Sequence, residues 1–133
     1  MSLLETDFIK PKHNQIQLPQ QPHETEVGNK EYKRKIILEK NITKILEKRR
    51  TQMLYRLYEG KGIAYYFLGV EDNGEPQGIS IQELKQTIHN LKKISDGLNV
   101  KWISFEIYYG IHRNTFTAIV KLQMINTISY SVY

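Results

Sequence analysis

The sequence predicts an α/β (α+β) domain, a two-layer sandwich with elements in the order β-α-β-α-β-β and two helices on one face of a four-stranded mixed sheet. Three observations carry this expectation. Apolar residues recur at helical spacing in two stretches, residues 42–57 and 81–91. A continuous apolar, aromatic-rich run occupies residues 63–70 between them, as expected of a central strand. Two later stretches, 100–109 and 115–122, alternate with a period of two around a turn.

Residues 1–29 hold three of the four prolines and a run of glutamines without periodicity, so they are expected to form a flexible tail. The domain proper is expected over 30–122, with 123–133 as a C-terminal extension. Residues 32–38 end in Ile36-Ile37-Leu38 and are expected to form the first strand. Asn41 offers an N-cap for the first helix, and Gly60 and Gly62 stop it near Glu59. Asp72-Asn73-Gly74 reads as a tight turn. Ser80 and Glu83 have the spacing of a capping box for the second helix, with Gly97 as its left-handed C-cap. In the closing hairpin, Ile103, Phe105 and Ile107 fall on one face, opposite Phe116, Ala118, Val120 and Leu122.

At 133 residues the chain suits one domain. It has no cysteine, which excludes a disulfide scaffold, a thiolate zinc site, an iron–sulfur cluster and a thiol nucleophile. No apolar run approaches the ~20 residues of a membrane span, and the N-terminus lacks a signal-peptide core, so a secreted or membrane protein is not expected. The formal charge is +5, but it is unevenly placed. Residues 30–61 hold eleven basic residues and four acids, a local +7, while the remainder carries −2. Segregated basic charge points to an anionic partner.

Little else in the sequence carries chemistry. Glu59-Gly60-Lys61-Gly62 is the nearest approach to a phosphate loop, but it follows a helix and has Gly62 where a hydroxyl is required. Asn29-Lys30-Glu31-Tyr32 has Tyr32 where a guanine-reading motif needs Asp. The chain itself is therefore not expected to be an enzyme or to hold GTP, magnesium or another cofactor. His13, His23, His89 and His112 are scattered without ligand spacing, so no metal is expected. Glu71 and Asp72 are adjacent carboxylates, and neighbours on an extended strand point to opposite faces.

The basic helix is the better candidate. Lys48, Gln52, Tyr55 and Glu59 share a stripe, flanked by Arg49 and Arg56. Lysine and arginine neutralise phosphates, and an interleaved tyrosine stacks on an unpaired base. Lys33, Lys35, Lys48, Arg49, Arg50, Tyr55 and Arg56 are the candidate residues for contact with RNA or a ribosomal partner. The plainer reading of the same residues is a solvated helix face. Tyr65, Tyr66 and Phe67 are expected in the core, whereas Trp102, Tyr108 and Tyr109 could line an open face of the hairpin.

The β-α-β-α-β-β order is shared with Alba-like nucleic-acid-binding domains and the C-terminal domain of translation initiation factor three, a likeness of topology alone. Several blocks carry a closer resemblance: Val27-Gly28-Asn29, Glu31-Tyr32-Lys33, Thr51-Gln52-Met53, Arg56-Leu57, Glu59-Gly60-Lys61-Gly62, residues 69–74 and Gly78, then Glu83-Leu84 and Leu91. In order and spacing they resemble the N-terminal domain of the GTP-binding protein 1 family, translational GTPases similar to elongation factor 1-alpha. The resemblance implies cytoplasmic work in translation, with GTP and magnesium bound by a following domain. No phosphate loop follows Leu122, so the chain is expected to be a fragment, a truncated product or a stand-alone accessory domain. The expected function is then a non-catalytic accessory domain that contacts RNA or the ribosome through its basic helix. The alternatives are a docking module for an adjacent GTPase domain without RNA contact, and a metal-dependent ribonuclease-like domain centred on Glu71 and Asp72.

Overall fold

The computed structural model describes residues 9–125. Within them the chain forms β1 (Lys12–Gln17), β2 (Lys30–Lys33), α1 (Ile42–Glu59), β3 (Ile63–Leu68), α2 (Ile81–Asp96), β4 (Val100–Tyr109) and β5 (Phe116–Met124). The expected α/β sandwich is present, with a five-stranded mixed sheet rather than a four-stranded one. Strand order is β1-β4-β5-β3-β2. The outer pairs β1–β4 and β2–β3 are parallel, and β5 runs antiparallel to both β3 and β4. No helix among the described residues is long and apolar enough to cross a membrane.

Both helices pack on one sheet face. Met53 and Leu57 of α1 and Leu84, Ile88, Leu91 and Ile94 of α2 meet Ala64, Tyr66 and Leu68 of β3 and Ala118, Val120 and Leu122 of β5. These side chains are almost wholly removed from water, and burying each of the leucine, isoleucine, valine and methionine side chains stabilises the fold by roughly 1.5–3 kcal/mol. The opposite face carries a second, smaller cluster of Leu18, Tyr32, Phe67 and Val70.

Leu18 belongs to the stretch expected to be a flexible tail, and here the structure corrects the sequence reading. Lys12–Gln17 adds to the sheet as an edge strand parallel to β4. Its polar sequence has no apolar face because its pairing is supplied by the backbone of β4. The following segment is strapped to the turn after β3, where Gln21 N donates to Gly74 O (3.0 Å) and Glu24 N to Asp72 O (2.8 Å). Tyr32 Oη donates to Pro22 O at 2.9 Å. Residues 1–8 of the expected tail and 126–133 of the expected extension lie outside the described residues.

The first expected strand, 32–38, is displaced to Lys30–Lys33. Ile36 is still buried, but helix α2 rather than the sheet satisfies its backbone. Thr87 Oγ1 accepts from Ile36 N (3.1 Å), and Asn90 Nδ2 donates to Ile36 O (2.8 Å). Two polar residues thus interrupt the buried face of α2 to replace a missing strand neighbour.

The helix ends mix agreement and correction. Ser80 and Glu83 form the capping box, each side chain bonding the other's backbone N–H at 3.1 Å. Asn41 does precede α1, but it is left-handed (φ 43°) and its side chain caps nothing. Gly97 is right-handed (φ −80°), so a left-handed cap is not its role. A Cβ there would lie 2.0 Å from the Arg50 guanidinium. The glycine makes room for Arg50, whose Nε and Nη2 donate to Ile94 O (3.1 Å) and Lys93 O (3.0 Å). Arg50 therefore caps α2 at the negative end of its dipole.

In the hairpin, Trp102 pairs with Leu122 and Ser104 with Lys121, leaving Ile103 as the extra residue of a bulge. The alternation changes phase there. Trp102, Phe105 and Ile107 face the helices, while Ile103, expected inside, is 37% exposed.

Candidate functional site

The joint between β2, α1 and the 24–29 segment gathers more of the expected site residues than any other place. Arg56 lies on the inner side of α1 and is 5% exposed. Its Nε donates to Glu31 Oε1 at 2.8 Å. One terminal nitrogen donates to Val27 O (3.1 Å) and Gly28 O (3.0 Å), and the other to Thr25 O (3.0 Å). Glu24 Oε2 stands 3.9 Å from Arg56 Nη2. Almost every donor of the guanidinium is used. Glu31, on β2, is equally buried and also pairs with Lys33 Nζ at 3.3 Å.

Four of the blocks that carry the family resemblance, at 27–29, 31–33, 56–57 and 59–62, meet at this joint. Gly28 N donates to Glu59 Oε1 (3.0 Å), and Asn29 Nδ2 donates to Ile63 O (3.1 Å). A Cβ on Gly60 would lie 1.8 Å from Ile63 O. Most of those residues therefore build architecture: they seat α1 against β2 and fix the segment that enters the sheet.

Burial shapes the electrostatics. Glu24 is held above its ordinary value of 4.5, first by desolvation and then by the charges of Glu31 and Asp72, against the hydrogen bond from Tyr32 N. The folded state therefore binds the Glu24 proton more tightly than the unfolded chain. The stability linked to Glu24 is fully present below pH 4.5 and declines as pH rises through the raised folded value. Glu24→Gln is expected to remove that decline and to gain stability relative to the parent between pH 4.5 and neutrality. Urea midpoints measured for both proteins across this range test it, and a difference that does not change with pH refutes it. Tyr66, beside Glu31 on β3, is pushed above the ordinary phenol range by burial first and by Glu31 second. Its hydroxyl has no hydrogen-bond partner.

A cleft of about 350 Å³ opens beside the joint. Lys33, Tyr55 and Arg56 line it, together with Glu24, Glu26, Glu31 and Asp72. Four acids against two bases do not make a phosphate cradle. A neighbouring cleft of about 550 Å³ is bordered by His23, Arg34, Glu71 and Asp72. No three His, Asp or Glu side chains among the described residues converge as metal ligands, so the carboxylates at 71 and 72 gain no third partner for a metal-dependent reaction.

The remaining candidates are scattered. Lys35 bonds Glu83 at 3.1 Å, on the α2 side of the domain. Arg56 is internal, whereas Arg50 is half-buried and spends its Nε and Nη2 on the end of α2. Arg49 is partly buried, and its Nε has no hydrogen-bond partner. Tyr55 is 41% exposed, with the Arg56 guanidinium carbon 5.9 Å from its ring centroid. Lys48 is exposed, as are Lys40 and Lys44. The sequence reading missed Glu24 and Glu31 as the partners that hold Arg56. Their spacing from Arg56 follows no local periodicity, and only the shared motif blocks linked positions 31 and 56.

Comparison with known proteins adds one finding. GTP-binding protein 2 of mouse and of human each match this chain at 38% identity over 78 residues, which is 59% of this chain. The match covers 13% of the length of those two proteins. No family model matches the chain, and no solved structure matches it. The likeness supports a relationship between this chain and the GTP-binding protein family, over a stretch that forms a small part of its relatives.

Proposed function

We propose that this chain is a non-catalytic accessory domain of a GTP-binding, translation-factor-like protein of the cytoplasm, and that it contacts RNA or the ribosome. The observation that supports this most strongly is the likeness to GTP-binding protein 2, at 38% identity over 78 residues. GTP and magnesium would belong to a separate GTPase domain. With Arg50 and Arg56 committed to the fold, contact through α1 would fall to the exposed lysines at its N-terminal end, Lys40, Lys44 and Lys48. Sedimentation with tRNA or ribosomes at two salt concentrations tests this reading. Binding is expected at low salt, to weaken as salt rises, and to fall when Lys44 and Lys48 are both changed to Glu. Absence of binding at low salt overturns it.

The C-terminal half of α1 supports a second reading, a docking module for the GTPase domain. Tyr58 lies three residues from Tyr55 and four from Leu54, and all three are exposed, Tyr58 at 80%. Such a stripe suits burial against another protein surface. Trp102, Tyr108 and Tyr109, which the sequence left open as a lining of the hairpin's face, do not form one patch. Trp102 is buried with its Nε1 donating to Ser95 Oγ (3.1 Å), on the sheet face opposite Tyr108.

A further inference from the structure

The sheet face turned away from both helices carries a feature that the linear sequence conceals. Side chains on this side come from alternate positions of each strand. Register places Lys30 of β2 beside Tyr65 of β3, and Tyr65 beside Lys121 of β5, in one row across the sheet. With strands about 4.8 Å apart, the two lysines stand roughly 10 Å from each other, on either side of the tyrosine ring. Lys101 projects from the next row, paired with Gln123, and Lys12 lies on β1 beside Glu106. Along the strands, this face carries those four lysines against a single acid, Glu106, whose carboxylate already accepts hydrogen bonds from Asn14 (3.2 Å) and Tyr108 (3.1 Å).

The lysines are held loosely. Lys121 Nζ is 5.8 Å from the Tyr65 ring centroid, and Lys30 Nζ is 6.0 Å from that of Phe67. These distances are at the outer limit of a cation–π contact, so either ammonium can swing to a phosphate without breaking an ion pair. Leu18 covers Phe67 and Tyr32 at one end of the face, while Tyr65 and Tyr108 remain partly exposed. Three of the four lysines lie outside the basic 30–61 segment, on the part of the chain whose net charge is negative.

From this row we infer that the open sheet face is a platform for single-stranded RNA, with a base stacked on Tyr65 and phosphates held by Lys30, Lys121 and Lys101. Charge selects the class of partner, because a protein surface of mixed charge would leave several lysines unmatched. Strand state follows from the tyrosine: a flat sheet offers a ring to an unpaired base, whereas a duplex hides its base faces. The inference rests on the proposed contact with RNA and assigns it a surface distinct from α1.

Titration of the whole chain with a fluorescently labelled ten-nucleotide oligouridylate tests the platform. The Tyr65→Ala variant is expected to bind about tenfold more weakly or worse, and Tyr65→Phe to bind like the parent, since stacking needs the ring and not the hydroxyl. Paired Lys30→Glu and Lys121→Glu changes are expected to abolish binding at low salt. If Tyr65→Ala and the paired reversal leave oligouridylate binding unchanged, or if no oligouridylate binds, the platform is refuted. The tRNA measurement with the α1 reversal is a separate arm. Binding lost only through Lys44 and Lys48 would uphold RNA contact and refute the platform, whereas binding lost only through the sheet variants would uphold the platform and refute the helix.

Discussion

Arg56→Met is expected to destabilise the domain by about 3–5 kcal/mol, because it leaves Glu31 as a buried carboxylate without its principal counter-charge. The guanidinium also supplies the hydrogen bonds to the carbonyls of Thr25, Val27 and Gly28, so its loss frees the segment that leads into β2. Glu31→Leu is expected to cost a comparable amount for the converse reason. The double variant is expected to cost less than the sum of the two, by up to about 3 kcal/mol, since removing both charges leaves neither unpaired. Urea denaturation followed by Trp102 fluorescence measures all three. Strict additivity would show that the pair is not coupled, and an unchanged midpoint for Arg56→Met would show that the residue is free to serve a ligand.

A second large loss is expected from Gly74→Ala. Gly74 has φ +88°, where an L-residue is strained by roughly 1–2 kcal/mol. Its Cβ would also lie 2.0 Å from Gln21 O and 2.6 Å from Pro22 O. Both obstacles are backbone atoms, so the strap must lift. Lifting it breaks the bonds from Gln21 N and Glu24 N, each contributing about 1 kcal/mol. A total of about 3–4 kcal/mol is expected. Gly62→Ala separates the two causes, since Gly62 has a similar φ of +99° but nothing near its would-be Cβ. It should lose the strain alone. Amide exchange at Gln21 and Glu24 should quicken in the Gly74 variant and not in the Gly62 variant, and equal behaviour in both would refute the strap.

The elements easiest to read in the sequence were those whose burial is periodic. Leu84, Ile88 and Leu91 on α2, the apolar run of β3 and the alternation of β5 each announce themselves within a few turns or residues. Edge strand β1 was illegible for the opposite reason. Its pairing is made by main chain, so Lys12–Gln17 could stay polar. Bulges hide in the same way. A single unpaired residue at 103 reversed the facing of Ile103 and brought Trp102 into the core. Of the candidate site, the cluster of positive charge was visible as composition, but its use was not. Arg50 and Arg56 differ little in sequence context, yet one caps a neighbouring helix and the other is buried against Glu31.

By itself, then, the sequence determined the α/β class, the two helices with their shared buried face, the capping box at Ser80 and the resemblance that points to GTP-binding proteins. These follow from local spacing and residue type, which act over a turn of helix or a pair of strand residues. Tertiary structure alone decided where the charge goes. Folding withdrew Arg56 from solvent, tied Arg50 to the end of α2, and paired Lys33 with Glu31 and Lys35 with Glu83. It also set Lys30 and Lys121, 91 positions apart in the numbering, on either side of Tyr65. The physical reason is that charge acts through space: strand register and helix packing set the distances between side chains, and those distances cannot be read from local spacing along the chain.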